Sequence, residues 1–248
     1  MQYKISSAMA TGTLHSQSGL DIEDRVHIRR TDTVICGVLA DGAGSRASSA
    51  LGAETVTEAM AQLLSEAFEE QWALSPGQRA NYWVNHCLTA LERQTPPLYD
   101  MGCTLLCYAA HKDGRYLSGH IGDGIMVLYS EGELLTFSDP ENGAYPNETY
   151  LVTDEDAVVH LRLQQGCRSA GGTLLMMSDG TADSLYIHAK KKPATACRIM
   201  AQWLQEGDED TISQVLQNHL EQLFSRYTHD DMSLIMIDWK PELETTKS

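Results

Sequence analysis

The chain has 248 residues and carries 18 Lys and Arg against 34 Asp and Glu, a formal net charge of −16. Nucleic-acid backbones and anionic membranes reward clustered cations, so this balance argues against both as partners. Hydrophobic residues make up 42% and charged residues 21%, the proportions of a globular chain rather than a disordered one, and no apolar run approaches the ~18 residues of a membrane span.

Residues 3–10 and 25–30 read as strands, the second with alternating Val26 and Ile28. The unbroken apolar stretch over 33–40 predicts a buried strand, which the glycines of 41–45 interrupt. From 47 to 72, Ala50, Ala53, Val56, Met60, Leu63, Leu64 and Ala67 fall on one stripe of a helix. Ser75-Pro76-Gly77 stops it, and a second helix over 80–91 turns Tyr82, Trp83, Cys87, Leu88 and Leu91 inward. Strands are expected at 104–110, 115–120, 125–130 and 133–137. The short turns between them, including Gly122-Asp123-Gly124, predict antiparallel hairpins. A polar loop over 138–146 precedes two further expected strands at 148–153 and 157–163 and a buried one at 173–177. A short helix from Thr181, a basic turn at Lys190-Lys191-Lys192-Pro193, helices near 194–205 and 211–227 and a last strand at 232–238 complete the order. Strands and helices come in blocks rather than alternating, which predicts an α+β fold of antiparallel sheets with helix layers outside. With no repeat and no linker, 1–240 reads as one domain and 241–248 as a polar tail.

Six cysteines, Cys36, Cys87, Cys103, Cys107, Cys167 and Cys197, form no CxxC pair and read as buried reduced thiols. Residues 1–12 lack an apolar core of signal-peptide length. The expected compartment is the reducing cytoplasm. Trp72, Trp83, Trp203 and Trp239 read as packing residues, and His111, His120, His160, His188 and His219 show no ligand spacing.

The chemistry lies in five short stretches that bring acids to a strand end or a tight turn. They are Glu23-Asp24, Asp41-Gly42-Ala43-Gly44, Gly122-Asp123-Gly124, Ser178-Asp179-Gly180 and His229-Asp230-Asp231. An Asp-Gly pair alone most often only reverses the chain. A carboxylate at the mouth of a buried strand is costly unless a cation meets it. Five such stretches predict one shared centre for a hard divalent ion, Mg²⁺ or Mn²⁺, bound by oxygen ligands. Two ions roughly 3.5–4 Å apart would need a bridging carboxylate, and a water between them suits hydrolysis of a phosphate ester.

In this order the motifs resemble those of the metal-dependent protein phosphatases, the type 2C serine/threonine phosphatases, and in particular their bacterial branch. The resemblance rests on Gly12-x-x-His15 with Glu23-Asp24, on Ala40-Asp41-Gly42-Ala43-Gly44-Ser45, on Gly102-Cys103-Thr104-Leu105, and on Gly122-Asp123-Gly124. It continues in the loop Asn142-Gly143-Ala144-Tyr145-Pro146-Asn147-Glu148-Thr149, in Ser178-Asp179-Gly180 and in Asp230-Asp231-Met232-Ser233, spanning roughly 8–238. It implies a four-layer αββα sandwich, two antiparallel sheets face to face under helix pairs, with a short flap at about 138–166. It implies Mn²⁺- or Mg²⁺-dependent hydrolysis of phosphoserine and phosphothreonine by a metal-bridging water. The expected partners are phosphorylated protein substrates and a cognate serine/threonine kinase.

The resemblance also assigns roles. Asp41 would bridge two metals with the Gly42 carbonyl on one of them, and Asp179 and Asp230 would complete the first. Glu23 and Asp24 would share the second, one directly and one through water. Asp123 with Asp179 would hold a third ion, and Asp231 would orient its neighbour. Two positions depart from the family pattern: Gly19 stands where many members have a phosphate-gripping Arg, and Ala43 where some have a His proposed as general acid. His15 is the substitute candidate for the phosphate contact, and leaving-group protonation would fall to a metal-bound water or to His15. Arg46 is a second candidate for the phosphate contact, against the commoner role of a solvent-facing arginine at a helix start. A non-catalytic phosphatase-like module would be expected to lose metal-ligand acids, and a hydrolase of a small phosphorylated molecule is the remaining alternative.

Overall fold

The computed structural model describes residues 1–19, 21–143 and 148–242. Strand β1 (Gln2–Ala10), a short helix α1 (Thr13–Ser18), β2 (Arg25–Arg30) and β3 (Val34–Ala40) come first. Helices α2 (Ser49–Glu66), α3 (Phe68–Ala73) and α4 (Pro76–Leu91) follow, then a 3₁₀ turn at Leu98–Met101. Four strands come next: β4 (Leu105–His111), β5 (Arg115–Ile121), β6 (Ile125–Ser130) and β7 (Glu133–Ser138). A single helical turn, α5 (Ala157–His160), leads to β8 (Arg162–Cys167) and β9 (Gly172–Met177). Then come α6 (Asp179–Leu185), the two-residue strands β10 (Tyr186–Ile187) and β11 (Lys192–Pro193), α7 (Ala196–Glu206), α8 (Glu209–Gln222) and β12 (Met232–Lys240).

The long strands form two antiparallel sheets, ordered β1-β12-β9-β6-β7 and β2-β3-β4-β5-β8. Successive side chains of a strand point to opposite faces, and β3 shows the result. Cys36, Val38 and Ala40 pack with Val56, Met60 and Trp83 of the α2–α4 layer, while Ile35 and Leu39 pack with Met176, Ile235 and Ile237 of the other sheet. On the far side, Leu175, Met177, Leu234 and Met236 meet Leu204, Leu216 and Leu220 of α7 and α8. Three apolar layers between four structural ones make the αββα sandwich.

The helix expected over 47–72 divides at Ala67, where φ −124° and ψ 31° turn α2 into α3. The carbonyls at the end of α3 are met by Arg79 from α4. Its Nε donates to Gln71 O at 2.8 Å, and its Nη2 to Trp72 O at 3.2 Å and Leu74 O at 2.8 Å. A guanidinium satisfies the orphan acceptors of a helix C-terminus and suits its dipole, so the 1% exposed Arg79 is fully employed. Helix α4 starts on a capping box, with Ser75 accepting from Gln78 N at 3.4 Å and the Gln78 side chain accepting from Ser75 N at 3.1 Å. Its buried stripe is Trp83, Cys87 and Leu91. Tyr82, expected to face inward, is exposed, because it lies about 100° around the helix from Trp83.

The segment Gly122-Asp123-Gly124 is not a hairpin. Strand β5 pairs with β4 and β8, whereas β6 pairs with β7 and β9 in the other sheet. The turn therefore carries the chain across the sandwich. Gly122 takes φ +107°, and a Cβ there would meet the Thr104 side chain at 2.6 Å, so only glycine fits.

The strand expected at 148–153 is absent, and the one expected at 157–163 begins only at Arg162. Thr149 makes an isolated bridge to Asn142, Leu151 N donates to Asp154 Oδ2 at 2.8 Å in a tight turn, and Ala157–His160 is helical before β8 begins. The helix expected to reach 227 ends at Gln222 and passes into a 3₁₀ turn, Phe224–Arg226. Residues 144–147 of the expected flap and 243–248 of the expected tail lie outside the described residues. Among the described residues no helix is long and apolar enough to cross a membrane.

Candidate active site

One cavity of about 480 Å³ opens where the two sheets present their acidic strand ends. It is lined by Glu23, Asp41, Asp123, Asp179, Asp230 and Asp231, together with His15, Gly42, Arg46 and Tyr99. Carboxylate oxygens of Asp41, Asp123 and Asp179 lie within 4.8 Å of one another. A second cavity of about 410 Å³ shares Asp123, Thr149, Asp179 and Asp230 and extends to Asp183 and His188.

Each acid is set by local backbone bonds. Asp41 follows β3, with its N–H donating to Thr104 Oγ1 at 2.9 Å and its carbonyl accepting from Thr104 N at 2.8 Å. Gly42 N donates to Glu23 O at 3.3 Å, and Ala43 N to Gly102 O at 3.0 Å. The turn after β3 is thus stitched both to the first acidic pair and to the approach to β4. Asp179 opens α6 after β9. Its motif is tied to the one before β12 by Ser178 N donating to Ser233 O at 3.1 Å and Ser233 N donating to Ser178 Oγ at 3.0 Å. The two motifs approach so closely that a Cβ on Gly180 would stand 2.2 Å from Asp231 O, a contact no other residue permits.

Asp231 does more than orient its neighbour. Its Oδ1 accepts from Gly12 N at 2.6 Å, and its Oδ2 accepts from Glu23 N at 2.6 Å while meeting His15 Nδ1 at 2.9 Å. One carboxylate therefore gathers the N-terminal motif around the cavity. His15 Nε2 lies 3.9 Å from Glu23 Oε2. Burial works against a charged His15, but the carboxylates of Asp231, Glu23 and Asp230 outweigh it and hold its pKa above the ordinary value.

Glu23 and Asp24 separate here. Glu23 lines the cavity, with its Oε1 accepting from Ser49 Oγ at 2.8 Å. Asp24 is 0% exposed, does not line the cavity, and neither of its carboxylate oxygens has a hydrogen-bond partner among the described residues. Gly19, where the family pattern would have Arg, caps α1 in the left-handed region and is absent from the lining.

The electrostatics of the cluster are those of mutual repulsion. Burial, then the charges of Asp24 and Asp179, push Asp41 well above the ordinary carboxylate range. Burial, then Asp123, Asp230 and Asp24, raise Asp179 to about 8. Burial also raises Asp24, Asp123 and Asp230. The donor set is hard oxygen throughout, its charges are uncompensated, and Asp24 is an orphaned buried carboxylate. All three features fit Mg²⁺ or Mn²⁺.

Sequence reasoning missed Tyr99 and Ser49. Tyr99 follows Pro96-Pro97 with no periodic signal, and its ring stacks on Arg46 at 3.5 Å. Ser49 is the first residue of α2, where a serine ordinarily reads as a cap.

Comparison with known proteins agrees with this geometry. Residues 11–224 match the family model described as protein phosphatase 2C. Serine/threonine-protein phosphatase 3 of Escherichia coli strain K12 is 28% identical over 170 residues, 65% of this chain and 67% of that one. Among solved structures, the catalytic domain of serine threonine protein phosphatase PstP in complex with 2 manganese ions superposes with a TM-score of 0.64 at 17% identity, covering 96% of this chain and 99% of that one. RsbX in complex with magnesium superposes with a TM-score of 0.60 at 13% identity, covering 95% of this chain and 94% of that one. The structural likeness, at these identities, speaks to the fold.

Proposed function

The chain belongs to the protein phosphatase 2C family, and on that premise we propose that it hydrolyses phosphoserine and phosphothreonine in proteins with Mn²⁺ or Mg²⁺ held among the cavity carboxylates. The observation that carries the reading is the meeting of Asp41, Asp123 and Asp179 within 4.8 Å, drawn from three distant parts of the chain into one cavity. Asp41, with the Gly42 carbonyl, Asp179 and Asp230 would hold the first ions, and Asp123 with Asp179 a further one. Glu23 is the direct ligand of the first acidic pair, because its side chain reaches the cavity, and Asp24 acts from behind it. Bound divalent ions supply Lewis acidity, lowering the pKa of water and neutralising phosphoryl charge.

The chain's own residues do the positioning. Asp231 holds the Glu23 backbone and takes His15 Nδ1, which leaves His15 Nε2 to carry a proton to the departing serine or threonine oxygen. Asp24 supplies buried negative charge that stabilises a cationic centre.

The same reading gives the chain a serine/threonine kinase as its counterpart in signalling. Five of its six free thiols are buried as expected, Cys167 is exposed, and all six suit a reducing cytoplasm; 1–240 reads as one domain with 138–166 as a short flap.

The test is turnover of a phosphothreonine peptide and of p-nitrophenyl phosphate with Mn²⁺ and Mg²⁺. Turnover of the peptide supports the reading. Turnover of p-nitrophenyl phosphate alone would point to a small phosphorylated substrate, and no metal-dependent turnover of either would refute an enzymatic role.

A further inference from the structure

We propose that Arg46, backed by the ring of Tyr99, is the group that grips the phosphoryl oxygens of the substrate, the task for which Gly19 carries no side chain. The inference rests on the phosphatase reading above and deepens it by naming a recognition residue.

Arg46 lines the same cavity as seven acids, Glu148 among them. Among the described residues lining that cavity, it alone carries a permanent positive charge. Its guanidinium carbon lies 3.5 Å from the centre of the Tyr99 ring, a stacking attraction that fixes the plane of the group. Neither its Nε nor its Nη1, both covered from solvent, has a hydrogen-bond partner among the described residues. Covered donors of a charged group are expensive to leave unpaired. Arg79 shows how this chain treats a guanidinium of structural purpose, placing it on three backbone carbonyls. Arg46 has no such partners among the described residues, and Arg168, stacked on Tyr116, likewise leaves Nε and Nη2 unpaired; what sets Arg46 apart is its place in the lining of the acidic cavity.

The backbone holds the pair in register. Arg46 N donates to Ala43 O and Ser48 N to Asp100 O, each at 2.8 Å, so the turn bearing Arg46 is tied to the 3₁₀ turn bearing Tyr99. Thr104 N donating to Asp41 O, also at 2.8 Å, extends the same stitching to the acid cluster. A planar fork held at the rim of an oxygen-ligand centre matches two oxygens of a phosphomonoester. His15 is less suited to the task, since Asp231 takes its Nδ1 and leaves one ring nitrogen where Arg46 offers a fork. Arg46 therefore contacts substrate, and Tyr99 is a positioning residue.

Inorganic phosphate is the probe, measured by calorimetry on the Mg²⁺-loaded protein alongside steady-state kinetics on p-nitrophenyl phosphate. Arg46→Ala is expected to weaken phosphate binding roughly tenfold and to raise KM by a similar factor, with kcat changed less. Arg46→Lys keeps the charge without the fork, and Tyr99→Ala keeps the fork without its backing; each is expected to cost about threefold. Thermal melts report folding, and if Arg46→Ala does not fold, the other two variants carry the test. Phosphate binding within about twofold of wild type in all folded variants, or no phosphate binding by wild type, overturns the proposal. Arg46-dependent phosphate binding without metal-dependent turnover would leave the grip standing and remove the reaction. Turnover that ignores all three substitutions would do the reverse.

Discussion

Asp238 and Asp24 are buried to the same degree, at 2% and 0% exposure, yet the molecule treats them differently. Asp238, near the far end of β12, accepts from Thr173 Oγ1 at 2.8 Å, and Gln205 Nε2 donates to the same hydroxyl at 3.0 Å. Asp24, at the cavity end, has no partner for either oxygen among the described residues. The arginines repeat the contrast, with Arg79 spent on three carbonyls and Arg46 left with open donors. Buried polar groups are ordinarily paired. Arg168 at the far end also leaves Nε and Nη2 unpaired, but it stacks on Tyr116, Phe137 and Trp239 away from the acids, whereas the open groups of Asp24 and Arg46 fall where several carboxylates converge on one cavity.

The most severe way to test that contrast is Asp41→Asn. At the open end it is expected to lower metal-dependent turnover by roughly 10³-fold. It should also raise the melting temperature of metal-free protein, because it removes a carboxylate repelled by Asp24, Asp179 and Asp230. Turnover within tenfold of wild type would remove Asp41 from the metal centre.

Metal removal should expose the same repulsion through pH. Asp179 has its folded-state pKa raised to about 8, above the ~3.9 of an unfolded aspartate. The folded form then holds its proton more tightly, so stability is greatest at low pH and is lost as pH rises from about 4 through 8. Metal-free protein should melt several degrees lower at pH 8 than at pH 5, and saturating Mn²⁺ should remove most of the difference. Melting by circular dichroism that shows no pH dependence without metal would count against the cluster.

The paired end should respond in stability alone. Arg79→Ala leaves the carbonyls of Gln71, Trp72 and Leu74 without their donor, at a cost of about 3 kcal/mol and a fall of roughly 6–12 °C in Tm. Asp238→Asn weakens one buried bond to Thr173, at about 1 kcal/mol. Both are expected to keep kcat and KM within about twofold of wild type. A fall in turnover out of proportion to the loss of folded protein would mean that the two ends are not independent.

Much of the architecture was legible because burial on two faces leaves a plain signature. Residues 33–40 and 173–177 are continuous apolar runs, and both are central strands whose residues are all buried. The acids were legible because each interrupts such a run. The 148–163 segment misled for a definite reason. Val152, Ala157 and Leu161 are buried against the α2–α4 layer and Leu151 lines the acidic cavity, so their apolar pattern records packing rather than strand pairing. Gly122-Asp123-Gly124 has the composition of a hairpin, and only the partners of β5 and β6 reveal that it changes sheets. The division between Glu23 and Asp24 depends on which side chain reaches the cavity, a matter of strand register that adjacent acids do not encode. Tyr99 gains its meaning solely from the stitching that brings its turn beside Arg46.

The crossing at Asp123 has a mechanical consequence. Glu23 and Asp41 are attached to β2 and β3 of one sheet, Asp179 and Asp230 to β9 and β12 of the other, and Asp123 to the connection between them. Divalent ions shared among them would act as rivets through both plates of the sandwich, so that metal affinity gauges how well the plates are aligned. Slippage anywhere in the packing of Ile35, Leu39, Met176 and Ile235 between them would then register first as a loosened ion, well before either sheet came apart.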